Sequence, residues 1–147
     1  MEGAYVESAN TRGLHQLYAA MLEREATNAA VKNDLAMTSF LLKINLGQAH
    51  LLARQAFEQR PDHPSIASTY AYSLHLLGKT SQGLAVLEKF KPEQLESPGV
   101  AAYYGTLLAA AGQTDKARIY LRLAGRARLL PEEKALVQEA IKSVGDL

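Results

Sequence analysis

Histidine, carboxylate and arginine side chains are the groups of this 147-residue chain that could carry out chemistry. The four histidines, His15, His50, His63 and His75, show none of the short spacings that bind a metal ion, such as the H-E-x-x-H motif. The chain contains no cysteine, which excludes a disulfide, a thiolate metal site and a cysteine nucleophile. We therefore expect neither a metal site nor a cofactor.

Two pairs of neighbouring residues have the chemical types found in catalytic sites. Asp62 and His63 are predicted to lie in a turn, where an Asp side chain commonly hydrogen-bonds its own backbone, and no third catalytic residue accompanies them. Glu132 and Glu133 follow Pro131, and the helix dipole favours acidic residues in the first turn of a helix. The glycines form neither a phosphate-binding loop nor a dinucleotide-binding fingerprint. These patterns predict that the chain is not an enzyme.

Arginine recurs at four-residue intervals in one predicted helix, at Arg118, Arg122 and Arg126, which we call the anion stripe. This spacing places three guanidinium groups on one helix face, where they could contact phosphate, an acidic peptide or nucleic acid. The alternative, which we favour, is a solvated face that forms ion pairs with the glutamates of the next helix. The formal net charge of +1 provides no general attraction to polyanions, so we do not expect nucleic acid as a partner.

Apolar spacing and proline placement predict helices throughout the chain. Apolar residues recur at intervals of three and four, and no stretch sustains an alternation of period two. All five prolines fall at predicted helix boundaries; Pro98, for example, follows the N-cap residue Ser97. No apolar run approaches the roughly 18 to 20 residues of a membrane helix, and the first residues lack the features of a secretory signal. We expect no contact with a membrane and favour a cytoplasmic location.

A pattern of residues repeats along the chain at an interval of 34 residues. Tyr70-Ala71 recurs as Tyr104-Gly105, and Gly78 recurs as Gly112, in each case 34 residues later. A looser copy precedes them, with one extra residue in its turn. We predict an N-terminal segment and half repeat at residues 1–28, repeat units at 29–63, 64–97 and 98–130, and a C-terminal capping helix at 131–147, all within one domain.

These units resemble the tetratricopeptide repeat, a helix-turn-helix unit of about 34 residues. The third unit matches best, through Tyr104-Gly105, the turn residue Gly112 and the central Ala117. The position that holds tryptophan in the family is occupied by Lys32, Ala67 and Ala101 in the three units. The resemblance implies an all-α fold, namely a right-handed α-solenoid of antiparallel helix pairs with about seven to eight helices.

Small residues recur where the two helices of each unit are expected to cross. They are Ala36, Ala71 and Gly105 on the first helices and Ala49, Gly83 and Ala117 on the second helices. Small side chains allow two helix backbones to approach closely. Glycine inside a helix costs about 1 kcal/mol relative to alanine, so Gly83 indicates either a close contact or a tolerated cost.

The resemblance implies that the first helices of the units line a concave groove that binds a peptide or helix, so that the chain is a protein–protein interaction module. The family positions correspond to Asn33, Met37, Leu41, Ser68, Tyr72, His75, Ala102, Thr106 and Ala109, which we call the groove face. Of the residue types with which chaperone-binding members hold a terminal carboxylate, only Asn33 is present, so we do not expect that ligand. Tyr72 is either a ligand anchor or a packing residue.

A second function stays open from the sequence. The N-terminal half repeat has no preceding helix to cover its apolar residues, which are Leu14, Leu17, Tyr18 and Met21. This pattern predicts a structural segment cut from a longer repeat array, or a homo-oligomer that forms through the half repeat. The anion stripe is the third alternative.

Overall fold

The computed structural model describes residues 10–126 and 128–145. Residues 1–9 of the predicted N-terminal segment, Ala127, and residues 146–147 of the predicted capping helix lie outside the described residues. Within the described ranges the chain forms nine α-helices and no strand, so the all-α prediction is confirmed. Among these helices, none is both long enough and apolar enough to cross a membrane.

Helices follow one another along the chain with short connections. They are α1 (Thr11–Arg24), α2 (Ala29–Leu42), α3 (Leu46–Gln59), α4 (Pro64–Leu76), α5 (Thr80–Leu87), α6 (Pro92–Leu95), α7 (Pro98–Ala110), α8 (Thr114–Ala124) and α9 (Pro131–Val144). The single turn α6 accounts for the difference from the seven to eight helices expected. It begins at Pro92, whose missing N–H suits a first helical position, and Gln94 Oε1 accepts a hydrogen bond from Lys91 N at 3.0 Å.

Residues at the helix boundaries explain where the helices begin and end. Asn10 and Asn28 cap α1 and α2, because their side chains accept hydrogen bonds from free backbone N–H groups of the first turn. Gly78 and Gly112 follow α4 and α7 with φ of +79°, a left-handed conformation that glycine adopts without strain. The first unit uses Lys43, with φ of 59°, at the end of α2, which explains why its turn departs from the repeat pattern.

Consecutive helices pack against one another, and three pairs make the most extensive contacts. These pairs are α2 with α3, α4 with α5, and α7 with α8, which are the helices of the three predicted units. The interior between them is filled by fully buried side chains such as Tyr104, Leu87, Leu107 and Leu121. The last helix, α9, contacts α7 and α8 and also reaches back to α2.

The structure decides between the two interpretations of Gly83 in favour of a close contact. A β-carbon on Gly83 would lie 2.7 Å from the carbonyl oxygen of Ala71 and 2.8 Å from Cδ2 of Leu107. The first of these atoms belongs to the backbone of α4 and cannot move aside as the end of a flexible side chain can. Gly83 therefore sets the approach of α5 to α4 and α7.

We expect Gly83→Ala to lower the free energy of unfolding by about 1 to 3 kcal/mol, because the overpacked crossing outweighs the gain in helix propensity. Urea unfolding followed by circular dichroism measures the change. Gly99→Ala is the matched control, since no atom lies within 4 Å of its β-carbon position, and we expect it to leave stability unchanged or to raise it. Equal stability of the two variants would mean that the crossing tolerates a methyl group.

Candidate functional site

The groove face is covered rather than open. Six of its nine residues are buried, namely Asn33, Leu41, Ser68, Tyr72, Ala102 and Thr106, and the other three, Met37, His75 and Ala109, are half-buried. No residue of the groove face is exposed. The sequence identified a coherent set of positions, but a groove accessible to solvent along these residues is not what the structure has.

Helix α9 covers one part of the groove face. It packs against α7 and contacts α2, and its residues Ala135 and Leu136 border a pocket of about 280 Å³ that Leu41 and Tyr72 also border. The Tyr103 hydroxyl, next to Ala102 of the groove face, donates a hydrogen bond to Glu133 Oε2. The sequence predicted α9 as a cap at the end of the array. It contacts α7 and α8, the helices of the last unit, and also reaches α2.

Helix α1 meets the same surface from the other end of the chain. Leu14 and Tyr18 of α1 border a cavity that Asn33 and Ser68 of the groove face also border. The Thr11 hydroxyl donates a hydrogen bond to Glu132 Oε1, a contact that joins the first and last described helices. The two ends of the repeat units therefore close over their own groove face.

The apolar residues of the half repeat are covered by the chain itself. Leu14 and Tyr18 are buried, and Leu17 and Met21 are half-buried. The sequence predicted that these side chains lack a cover, and for Leu14 and Tyr18 this prediction is wrong, because α1 packs against α2 and joins the main core. Among residues 10–28, Leu14 and Tyr18 are therefore not available to a second copy, and self-association through the half repeat stays a prediction.

Glu133 is the polar residue on which the position of α9 depends. Its Oε2 accepts from Tyr103, and its Oε1 accepts from Leu130 N at 3.0 Å, so one carboxylate caps the start of α9 and binds α7. Burial, with a further contribution from Glu133, raises the pKa of the Tyr103 hydroxyl well above its ordinary value. Tyr103 therefore remains a hydrogen-bond donor at any pH at which the protein is handled.

Tyr72 lies in an aromatic cluster, which answers the question that its sequence position left open. Its ring centroid lies 6.0 Å from that of Phe40 and 5.3 Å from that of Tyr103, both in edge-on geometry. Tyr72 is 7% exposed, and burial raises the pKa of its hydroxyl. It packs within the protein, so it offers no free anchor to a ligand while α9 is in place.

Three of the four histidines bond to neighbouring side chains or backbone, and the Nδ1 of the fourth, His15, is buried with no hydrogen-bond partner among the described residues. His50 Nδ1 lies 2.6 Å from Ser73 Oγ, and His75 Nδ1 lies 2.8 Å from Thr80 Oγ1. His63 caps α4, because its ring accepts a hydrogen bond from Ile66 N. In residues 10–126 and 128–145, no group of three or more histidine, aspartate or glutamate side chains is placed to hold a metal ion.

The anion stripe is divided between two roles. Arg118 Nε donates to the carbonyl oxygen of Val144 at 3.1 Å, so Arg118 satisfies a free carbonyl at the end of α9, and its Nη1 lies 3.3 Å from Asp115 Oδ1. Arg122 and Arg126 are exposed, and the prediction that all three arginines share one helix is wrong, because α8 ends at Ala124 and Arg126 follows it. The sequence predicted that this stripe pairs with Glu132, Glu133 or Glu139 of the next helix. Glu132 and Glu133 bond instead to Thr11 and Tyr103, and Arg118 forms its ion pair with Asp115. The sequence can predict that a basic residue favours the C-terminus of a helix, but it cannot predict which helix that residue will reach.

Comparisons of this chain with protein-family models, with curated proteins and with solved structures find no match. The likeness to the tetratricopeptide repeat therefore rests on the residues that carry it in the sequence. A functional assignment has to rest on the geometry of the groove face and of the helices that cover it.

The hydrogen bond between Tyr103 and Glu133 can be tested by removing one oxygen atom. We expect Tyr103→Phe to lower the free energy of unfolding by about 1 to 3 kcal/mol, because the carboxylate loses a buried donor. The substitution should accelerate amide hydrogen exchange more in α9 than in α7. Tyr120→Phe is the matched control, because the structure shows no hydrogen bond from the Tyr120 hydroxyl to any described residue. Unchanged exchange in α9 would show that apolar packing alone holds this helix.

Partly buried histidines predict the direction of the pH dependence of stability. Burial lowers the pKa of His50 and His75, and burial with the nearby Arg12 charge lowers that of His15, from an ordinary value of 6.5. The unfolded chain then binds more protons than the folded chain just below pH 6.5. The stabilisation that the buried neutral histidines provide is complete above pH 6.5. It is lost as the pH falls from 6.5 through the lower pKa values of these histidines in the folded chain.

We expect the free energy of unfolding, measured by urea titration, to decrease between roughly pH 7.5 and 5.5, the range in which histidine is the side chain that titrates. His75→Gln should reduce this decrease, because it removes one of the groups whose protonation is opposed by burial. Stability that stays level or rises on acidification would contradict the burial assigned to these rings.

Proposed function

We propose that this chain is a non-enzymatic protein–protein interaction module that binds an amphipathic helix on its groove face. We further propose that its helix pairs are antiparallel and form a right-handed α-solenoid, as the resemblance to tetratricopeptide repeats implies. One observation carries the proposal: a helix of this chain already lies beside the groove face, because α9 packs against α7, contacts α2 and borders one pocket together with Leu41 and Tyr72. A surface that accepts α9 can accept a partner helix of the same chemistry.

Helix α9 indicates the chemistry of that partner. Its buried side carries small and medium-sized apolar side chains at helical spacing, namely Val137, Ala140 and Val144. Its exposed residues are polar and include Lys134, Gln138, Glu139 and Lys142. Two glutamates in the first turn bond to hydroxyl groups of α1 and α7. A partner helix would therefore carry an apolar stripe preceded by acidic residues.

Exchange of α9 for a partner is physically reasonable because α9 is joined to α8 by residues 125–130 alone. A short tether gives the tethered helix an effective concentration of about millimolar. To displace α9, a separate partner helix must be present at a higher concentration than this value or must bind the groove face more tightly than α9 does. The groove face thus binds a partner weakly while α9 is docked and more strongly when α9 is released.

A chain whose own α9 is weakened should bind α9 supplied as a separate peptide. Val137 is 4% exposed, so Val137→Asp would bury a charge and release the tethered helix. We expect a labelled peptide of residues 128–147 to bind this variant at least about tenfold more tightly than it binds the wild-type chain. Fluorescence anisotropy measures both affinities, and circular dichroism with hydrogen exchange checks that α9 alone is released.

Gln138→Asp is the matched control, because the neighbouring Gln138 is exposed and the new charge would stay in water. We expect the Gln138→Asp chain to behave like the wild type and a peptide that carries Val137→Asp to bind neither chain. If α9 is released and no peptide binds, the groove face is not a helix-binding surface. An exchange of α9 between two copies, detected as a dimer by light scattering, would favour the self-associating alternative.

A further inference from the structure

A cavity of about 270 Å³ remains where α1 and the start of α9 close over the groove face. Its apolar wall is formed by Leu14, Met37 and Val100. Its polar wall includes Asn33 and Ser68 of the groove face, together with carboxylates of α2 and α9. The volume suits a small group on an aliphatic stem, and the mixture of an apolar wall with a few polar groups is typical of ligand sites.

Asn33 leaves one hydrogen-bond acceptor without a donor at this cavity. Its Nδ2 donates to Asp34 Oδ1 at 3.2 Å, which determines the orientation of the amide, since the reverse orientation would place two oxygens together. Asn33 Oδ1 is buried and accepts no hydrogen bond from any residue that the structure describes. The Asn33 residue as a whole is 6% exposed. Buried polar atoms normally have a partner, so this oxygen marks a place for a donor.

The other polar groups of the cavity also offer acceptors, because their protons are already used. The Ser68 hydroxyl donates to Ser65 O at 2.7 Å, and the Thr38 hydroxyl donates to Leu35 O at 3.1 Å. The Tyr103 hydroxyl donates to Glu133. What these three oxygens can still provide is lone pairs, so a ligand group that bonds to them or to Asn33 Oδ1 has to bring the hydrogens.

Charge favours the same class of ligand. The ionisable side chains around the cavity are the carboxylates of Asp34 and Glu133 and the guanidinium of Arg128. Their charges sum to one negative unit at neutral pH. A cationic donor group is therefore favoured over an anionic one both by hydrogen bonding and by charge.

We propose that this cavity binds a cationic nitrogen group, an ammonium or a guanidinium, carried on an aliphatic stem. The inference goes beyond the proposed function, because the cavity exists while α9 is docked and Glu133 of α9 forms part of its wall. The stem would lie along Leu14, Met37 and Val100, and the nitrogen would donate to Asn33 Oδ1 and the nearby hydroxyl oxygens. A free amine would satisfy the same chemistry.

Titration of the full chain with small probes, followed by ¹H–¹⁵N NMR, tests the site. The probes are N-acetyl-lysine N-methylamide, its arginine counterpart, butylamine, and N-acetyl-norleucine N-methylamide as the matched probe without a nitrogen on its stem. We expect saturable shifts around Asn33 and Ser68 with the cationic probes and at least about tenfold weaker binding of the norleucine probe. Tighter binding of the amino-acid probes than of butylamine would assign the site to a peptide side chain, and the reverse order to a free amine.

Asn33→Leu should weaken the cationic probes at least about tenfold, because it removes the acceptor at similar volume. Arg126→Gln, which changes an exposed residue that does not border the cavity, should leave their affinity unchanged. Equal binding of the lysine and norleucine probes to the wild type, or no saturable shift at Asn33, would overturn the proposal even if Asn33→Leu failed to fold. Neither result would affect the α9 peptide experiment, which reports release of a helix.

Discussion

The carboxylate of Glu133 is the contact on which the closed arrangement depends. It caps the start of α9 through Leu130 N and accepts the hydroxyl of Tyr103 on α7, so the helix begins at the point where it is attached. A charge-assisted bond in a partly buried place is stronger than one between neutral groups, and burial keeps Tyr103 protonated. At the other end of α9, Arg118 satisfies the carbonyl of Val144. Polar contacts at both ends thus determine the position of a helix whose middle contributes apolar packing.

Closure of the groove face has two consequences for how the molecule could work. Tyr72 and Leu41 are buried and border one pocket together with Ala135 and Leu136 of α9. The space that α1 and α9 leave unfilled becomes a small cavity bordered by Asn33 and rich in acceptors. A module of this kind would offer an apolar contact to a helix when α9 is released and one small polar site to a cationic group while α9 is docked. The first provides area, and the second provides discrimination between partners.

Elements that depend on neighbouring residues could be predicted from the sequence, and those that depend on distant ones could not. Pro64 and Pro98 start helices because a missing N–H costs nothing at a first helical position, and Gly112 ends one because of its left-handed conformation. The one-turn helix α6 escaped prediction, since four residues are too few to show a period. The position of α9 beside the groove face could not be predicted either, because an amphipathic pattern indicates that one side of α9 is buried but not which surface buries it.

The sequence by itself determined the all-α class and most helix boundaries, because these follow from contacts within a few residues, while the groove-face positions rest on the resemblance to the tetratricopeptide repeat. Only the tertiary structure decided that Gly83 is a close contact, that Tyr72 packs inside, and that α1 and α9 meet over the groove face. Thr11 and Glu132, which join those helices, are 121 residues apart. Such a contact is set by how several helix crossings add up along the chain, and small differences in each crossing angle decide whether the ends meet.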